Sequence, residues 1–162
     1  MSDRTAFDFE FKSIKGKPLP LSGFRGHPIL VVNTASKCGF TPQYKGLEAV
    51  WQKHKADGLV VLGVPSNDFA NQEPGDAEEI ATFCEMNFGV DFPLTEKVCV
   101  KGRDAHPFFQ WIGEQGGFLS KPRWNFYKYL IGRDGRLKTW FASTTTPDSA
   151  KFQSAVKKLL TE

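Results

Sequence analysis

The sequence has few cysteines and no long apolar stretch. Its 162 residues include only three cysteines, an odd number that is far below the density of a disulfide-stapled scaffold. A reducing compartment keeps such cysteines as free thiols, so their reactivity is the property to examine. No stretch approaches the roughly 18 consecutive apolar residues that span a bilayer, and we therefore expect no transmembrane segment.

Runs of like charge are also missing. The 21 basic and 18 acidic residues give a formal net charge of only +3 and are scattered along the chain. This pattern predicts no nucleic-acid partner. The first ten residues carry Asp3, Asp8 and Glu10 where a secretory signal needs an apolar core, so the expected location is cytoplasmic.

Apolar patterning predicts the strands of a central sheet and an N-terminal hairpin. Alternating residues are typical of a strand with one buried face, and continuous apolar runs are typical of a strand buried on both faces. The Asp134-Gly135 pair predicts a tight hairpin turn between the last two strands. The predicted strands cover residues 6–14 in an N-terminal β-hairpin, 28–35, 59–64, 127–131 and 137–142.

Capping residues and apolar faces predict three helices. Thr41 is predicted to cap the first, with Pro42 at its first position, and Asp76 with Glu79 forms a capping box for the second. Residues 152–160 form an amphipathic C-terminal helix. The first helix joins two buried strands and makes them a parallel pair. The expected fold is α/β, a single three-layer α/β/α domain over residues 1–162 with a central mixed sheet.

Cys38 is the first candidate for chemistry. It follows a buried strand, precedes the next predicted helix and has Lys37 beside it. The positive end of a helix and a lysine charge both favour a thiolate. On position alone a buried structural cysteine is an equal alternative, because free cysteine is among the most buried residue types.

Three separate stretches resemble motifs of the glutathione peroxidase family. Residues 33–41, Asn-Thr-Ala-Ser-Lys-Cys-Gly-Phe-Thr, resemble its active-site loop. Residues 67–75, Asn-Asp-Phe-Ala-Asn-Gln-Glu-Pro-Gly, are similar to its loop ending in Gln-Glu-Pro-Gly, and residues 124–126 match its Trp-Asn-Phe motif. Each motif alone is a weak signal, whereas the three in this order are specific.

The resemblance implies a thioredoxin-like fold and a four-residue site. In that site Cys38 is the peroxidatic nucleophile, and Gln72, Trp124 and Asn125 surround its sulfur. Their amide and indole groups are neutral donors that stabilise a thiolate and a departing oxyanion without competing for protons. Taken singly, the three residues also fit a turn glutamine, a core tryptophan and a turn asparagine.

The resemblance also implies that Cys84 resolves the sulfenic acid by forming a disulfide with Cys38. An inert helical thiol is the alternative. Since Cys84 is expected inside a packed helix, far from Cys38 in the reduced protein, the helix must open locally in each cycle. Cys99 alternates with Val98 and Val100 in a predicted strand and is interpreted as a structural thiol.

The expected activity is that of a thiol peroxidase that reduces hydrogen peroxide and organic or lipid hydroperoxides. Two features imply thioredoxin rather than glutathione as reductant: the resolving cysteine, and the short segment between Gln110 and Trp124, which lacks the long oligomerisation insert of tetrameric relatives. The missing insert also implies a monomer. A peroxide sensor that passes its disulfide to a regulatory partner is the alternative.

Two other classes of site are disfavoured by the residues present. A dithiol oxidoreductase needs a second cysteine in a Cys-x-x-Cys pair, and Thr41 stands there. His27, His54 and His106 show no metal-ligand spacing, so no metal or cofactor is predicted.

Overall fold

The computed structural model describes residues 4–162. Residues 1–3, which belong to the predicted domain and include Asp3 of the acidic start, lie outside the described residues. The strands are β1 (Glu10–Lys12), β2 (Pro18–Pro20), β3 (Ile29–Thr34), β4 (Val60–Pro65), β5 (Lys128–Ile131) and β6 (Leu137–Phe141). The α-helices are α1 (Gln43–His54), α2 (Ala77–Phe88), α3 (Pro107–Gly116) and α4 (Ala150–Thr161). Within residues 4–162, each helix is too short or too polar to cross a bilayer.

A four-stranded mixed sheet forms the centre of the fold. Its order is β4-β3-β5-β6, with β3 parallel to β4 and antiparallel to β5, and with β5 antiparallel to β6. The predicted parallel crossover and C-terminal hairpin are therefore both confirmed. Strands β1 and β2 pair separately as the predicted N-terminal hairpin.

The side chains of β3 divide the core into two layers. Ile29 and Val31 pack with α3 and the N-terminal segment, whereas Leu30 and Val32 pack with α1, α2 and α4. All four side chains are fully buried, and each such burial stabilises the fold by roughly 1.5–3 kcal/mol. The alternation confirms the predicted three layers, α/β/α.

The first predicted strand is shorter than the alternation of its phenylalanines suggested. Residues Ala6–Asp8 form a 3₁₀ turn, because the Thr5 hydroxyl accepts from the Phe7 amide and the Asp8 carboxylate accepts from the Thr5 amide. This reciprocal cap satisfies donors that a strand would leave free. Phe7, with Phe9 and Phe11, is nevertheless buried as the pattern predicted.

Helix α3 was missing from the sequence-based expectations. His106 caps it by accepting a hydrogen bond from Phe108 N at 3.1 Å, and Pro107 occupies the first helical position. The apolar residues that follow are buried on one face: Phe108, Phe109, Trp111 and Ile112. Proline at the first position followed by this spacing is the signal that identifies such a helix.

Candidate active site

Cys38 lies in the short loop that joins β3 to α1. The Thr41 hydroxyl accepts a hydrogen bond from Cys38 N at 2.9 Å and donates one to Ala35 O at 2.8 Å. Thr41 therefore does not cap α1, whose N-cap is Pro42 without a side-chain hydrogen bond. The predicted cap was wrong because the hydroxyl is used inside the loop, where it fixes the main chain of Cys38.

Cys38 is buried and its sulfur accepts one backbone hydrogen bond. The side chain is 7% exposed, and Phe40 N–H donates to Sγ across 3.3 Å. This amide places one hydrogen-bond donor against the sulfur. Within residues 4–162, Sγ accepts this one hydrogen bond and none from Gln72, Trp124 or Asn125.

The structure brings the three sequence motifs to one place. Asn125 Nδ2 donates to Gln72 Oε1 at 3.0 Å, which joins the second and third motifs. Lys37 N donates to Gln72 O at 2.9 Å, which joins the second motif to the Cys38 loop. The indole of Trp124 packs against the apolar cluster that includes Cys38. The loops that carry Cys38, Gln72 and Asn125 are therefore joined by hydrogen bonds.

Asn33 holds the Trp124–Tyr127 turn, a role that was not predicted. Its side chain donates to Trp124 O at 2.9 Å and accepts from Tyr127 N at 3.0 Å, while its carbonyl accepts from Phe126 N at 2.6 Å. Phe126 has a φ of +64°, a costly conformation for a bulky residue. A polar residue at the end of the otherwise apolar β3 run was the only signal for this clamp.

Cys84 is buried on α2 and faces Tyr44 of α1. Burial raises the pKa of its thiol to about 11, the Glu73 carboxylate contributes in the same direction, and the Tyr44 hydroxyl opposes them. The thiol is thus protonated and weakly nucleophilic in this conformation. Asp76 caps α2 as predicted, since its Oδ1 accepts from Glu79 N at 2.9 Å, and Gly89 ends the helix at a φ of +61°. Within residues 4–162 the return bond from Asp76 N to the Glu79 side chain, which would complete the predicted capping box, is not formed.

Cys99 does not lie in the strand that was predicted for it. It is exposed in an irregular segment. Asp68 Oδ2 accepts hydrogen bonds from the amides of Val100 at 2.6 Å and Lys101 at 3.1 Å, and so occupies donors that a strand ladder would use. Partial desolvation, followed by the charge of Asp68, raises the pKa of the Cys99 thiol.

The histidines have structural partners. His27 contacts Gly58 O, His54 lies near Asp57, and His106 caps α3. No group of three or more metal-ligating side chains comes together within residues 4–162.

The family model named "Glutathione peroxidase" matches residues 6–113 of the chain. A glutathione peroxidase homolog, BsaA, of Halalkalibacterium halodurans is 48% identical over 155 residues, which cover 94% of this chain and 98% of the relative. The glutathione peroxidase-like peroxiredoxin gpx1 of Schizosaccharomyces pombe is also 48% identical, over 144 residues covering 88% of this chain and 91% of the relative.

Solved structures show the fold. The crystal structure of Trgpx in its apo form superposes with a TM-score of 0.80 at 39% identity and covers 99% of this chain and 98% of its own. A thiol:disulfide interchange protein of the thioredoxin family from Chlorobium tepidum has a TM-score of 0.70 at 15% identity, covering 99% of both chains. The predicted thioredoxin-like fold is therefore confirmed. The chain belongs to the glutathione peroxidase family and is an enzyme of the peroxidase class.

Proposed function

We propose that Cys38 is the nucleophile of a thiol peroxidase that reduces hydrogen peroxide and organic or lipid hydroperoxides. The thiolate attacks the distal peroxide oxygen, so an S–O bond forms and the O–O bond breaks. The departing oxyanion takes up a proton and leaves as water or an alcohol, and Cys38 becomes a sulfenic acid. The convergence of the Cys38 loop with Gln72 and Asn125 is the observation that carries this proposal.

Gln72, Trp124 and Asn125 supply the neutral donors of this mechanism. The Gln72 and Asn125 amides already meet at 3.0 Å, so the pair is preorganised before peroxide arrives. Their remaining N–H groups and the Trp124 indole N–H are available for charge that develops on sulfur and oxygen. Preorganised donors of this kind stabilise a transition state because they need no reorientation during the reaction.

Cys84 is proposed to resolve the sulfenic acid. Its thiolate attacks Cys38 Sγ, a disulfide forms, and the hydroxyl leaves with a proton as water. Cys84 is 1% exposed with a raised pKa, so α2 has to open before its sulfur reacts. Two observations support easy opening. Only two residues of α2 are buried, Ile80 and Cys84. A cavity of about 140 Å³ separates the Cys38 loop from the helix.

A dithiol protein of the thioredoxin type is proposed as the reductant. A disulfide formed within one chain needs two electrons from an outside thiol pair, which thioredoxin carries in a single molecule. The test is a coupled assay that compares thioredoxin with glutathione at equal thiol concentration, using hydrogen peroxide, an alkyl hydroperoxide and a lipid hydroperoxide. Faster turnover with thioredoxin supports the proposal. Equal or faster turnover with glutathione, or disulfide transfer to a client protein without turnover, contradicts it.

We propose that bulky anionic hydroperoxides approach through a cationic cleft near Trp124. Phe118 is 77% exposed and Leu119 58% exposed. They neighbour a cleft of about 310 Å³ whose rim carries the cationic side chains of Lys101, Lys121 and Arg123. Lys101 Nζ lies 5.0 Å from the ring centroid of Phe69, which packs on Trp124 with 5.8 Å between ring centroids. The cleft therefore adjoins the proposed site.

Charge reversal in this cleft is predicted to be selective. Lys121→Glu is expected to lower the rate with a fatty-acid hydroperoxide by about tenfold through lost attraction and added repulsion, and to leave the rate with hydrogen peroxide unchanged. Single-turnover kinetics at low salt measure both rates. Lys157→Glu on α4 makes the same charge change away from the cleft. An equal loss with both peroxides, or the same loss in the α4 variant, contradicts the prediction.

We also propose that the protein is a cytoplasmic monomer with a single cooperative domain over residues 1–162. The proposed cycle needs a compartment that keeps thiols reduced. The short segment between Gln110 and Trp124 offers no insert for assembly. Sedimentation at micromolar concentration, one calorimetric unfolding transition and cell fractionation are the measurements. A stable oligomer, two transitions or a membrane-bound pool would each contradict the corresponding part.

A further inference from the structure

The turn that carries Trp124 and Asn125 is anchored on two sides. On one side, Asn33 holds the carbonyl of Trp124. On the other side, the hydroxyl of Ser143 donates to the carbonyl of Asn125 at 2.5 Å. Asn33 also accepts from the Phe126 amide at 2.6 Å, so the peptide that follows Asn125 is held by Asn33 at its N–H and by Ser143 at its carbonyl.

Ser143 is itself fixed by two buried donors. Its carbonyl accepts from Gln43 Nε2 at 2.7 Å and from Lys128 Nζ at 3.2 Å. Lys128 Nζ also lies 3.4 Å from Ala142 O. The segment after β6 is thus tied to α1 and to β5, and Ser143 transmits this anchoring to Asn125.

Lys128 has an unusual environment for a lysine. Its side chain is fully buried, and within residues 4–162 no carboxylate lies within ion-pair distance of it. Desolvation is the cause that lowers the pKa of its ammonium to about 7. Burying a lysine without a carboxylate partner lowers the free energy of unfolding. The protein nevertheless keeps Lys128 at this place, where its ammonium contacts the carbonyls of Ala142 and Ser143. Such groups often mark functional sites.

The Asn125 side chain depends on its main chain for orientation. Its Nδ2 bonds to Gln72, but its buried Oδ1 has no hydrogen-bond partner. A rotation of the carbonyl of Asn125 would therefore move the amide away from Gln72 against one side-chain hydrogen bond, the one recorded for Asn125 within residues 4–162. Misplacing a reacting group by about 1 Å can cost up to a hundredfold in rate.

We propose that Lys128 and Ser143 act as a positioning pair, which fixes the main chain of Asn125 so that its amide stays against Gln72 beside Cys38. The inference rests on the proposed role of Asn125 as a donor. Neither residue contacts the peroxide. Their effect passes through Asn125, and removing either one weakens the same anchor.

The test measures the second-order rate constant of Cys38 oxidation by hydrogen peroxide in single turnover. Ser143→Ala is expected to lower it by about tenfold, because the Asn125 carbonyl loses its anchor. Ser143→Thr keeps the hydroxyl and is expected to stay within about twofold of the parent. Thr144→Ala, at the exposed neighbouring residue, is the control for an altered loop.

Lys128→Met, which keeps an unbranched apolar stem, is expected to lower the same rate to a similar extent. The double variant with Ser143→Ala is expected to be no slower than the slower single variant, because two residues on one path are not additive. A multiplicative loss in the double variant overturns the proposal. If Lys128→Met fails to fold, the rate constants of Ser143→Ala and Ser143→Thr still test the proposal, because only the alanine variant is expected to be slow.

Asn125→Ala separates failure of this inference from failure of the proposed mechanism. If Asn125→Ala is slow while Ser143→Ala retains the parent rate, the positioning pair is refuted and the donor role of Asn125 stands. If Asn125→Ala itself reacts at the parent rate, the proposed mechanism is wrong and the positioning pair falls with it. A threonine variant at Ser143 as slow as the alanine variant also refutes the pair.

Discussion

Replacing Cys84 by serine is expected to abolish turnover with thioredoxin and to leave the first reduction of peroxide unchanged. The first step uses Cys38, whereas the disulfide that thioredoxin reduces cannot form without a second sulfur. Cys38 should then accumulate as sulfenic acid and proceed to sulfinic acid when peroxide is in excess. Stopped-flow mixing with one equivalent of peroxide measures the first step, and mass spectrometry identifies the oxidation state.

Cys99→Ser is the matched control for the Cys84 variant, since Cys99 is the exposed thiol of the chain. It is expected to keep full turnover. Peptide mapping of the oxidised parent protein should find a bridge between Cys38 and Cys84, with a rearranged segment 76–88. A bridge between Cys38 and Cys99, or undiminished turnover in the Cys84→Ser protein, would show that the resolving cysteine has been misassigned.

Gln72→Ala is expected to slow the reaction of Cys38 with peroxide by roughly ten- to a thousandfold, as the loss of one preorganised donor typically does. Trp124→Phe, which removes the indole N–H, should fall in the same range. Because both groups are neutral, the loss in rate should be the same at every pH where Cys38 is ionised. Rapid-mixing kinetics across a pH series provide the measurement.

The control for this series is Gln52→Ala, a glutamine on the exposed surface of α1 that bonds to Glu48. It should react at the parent rate. Thermal unfolding of each variant establishes that the fold is retained. A folded Trp124→Phe protein with full reactivity toward peroxide would remove Trp124 from the site and with it the four-residue assignment.

Apolar periodicity predicted the central sheet well, because burial on both faces leaves few other places for such strands. The runs at residues 28–35 and 59–64 correspond to β3 (Ile29–Thr34) and β4 (Val60–Pro65). Prediction failed where a side chain took over backbone donors. Hydrogen bonds of Thr5 and Asp8 turned residues Ala6–Asp8, the start of the predicted first strand, into a 3₁₀ turn. Asp68 accepts from the amides that a strand at Cys99 would use.

The proposed site was predicted as a set of residues, whereas its supports were not. The resemblance to the family's motifs implied that Gln72 and Asn125 lie near Cys38, and the structure joins their loops by hydrogen bonds. Asn33 and Ser143 hold the turn from β3 and from the segment after β6, over sequence separations of 91 and 18 residues. Such contacts join residues that only the completed fold brings together, so a local sequence pattern does not identify them.

Because α2 buries few side chains, its local stability should set the peroxide concentration above which Cys38 is overoxidised. In the proposed cycle the sulfenic acid has two competing fates. Capture by Cys84 proceeds at a rate set by helix opening and independent of peroxide, whereas attack by a second peroxide accelerates in proportion to its concentration. The peroxide concentration at which the two rates are equal therefore depends on the stability of α2, which buries only Ile80 and Cys84. Substitutions that fray α2 should raise the tolerated dose, and those that stiffen it should make the enzyme inactivate itself sooner.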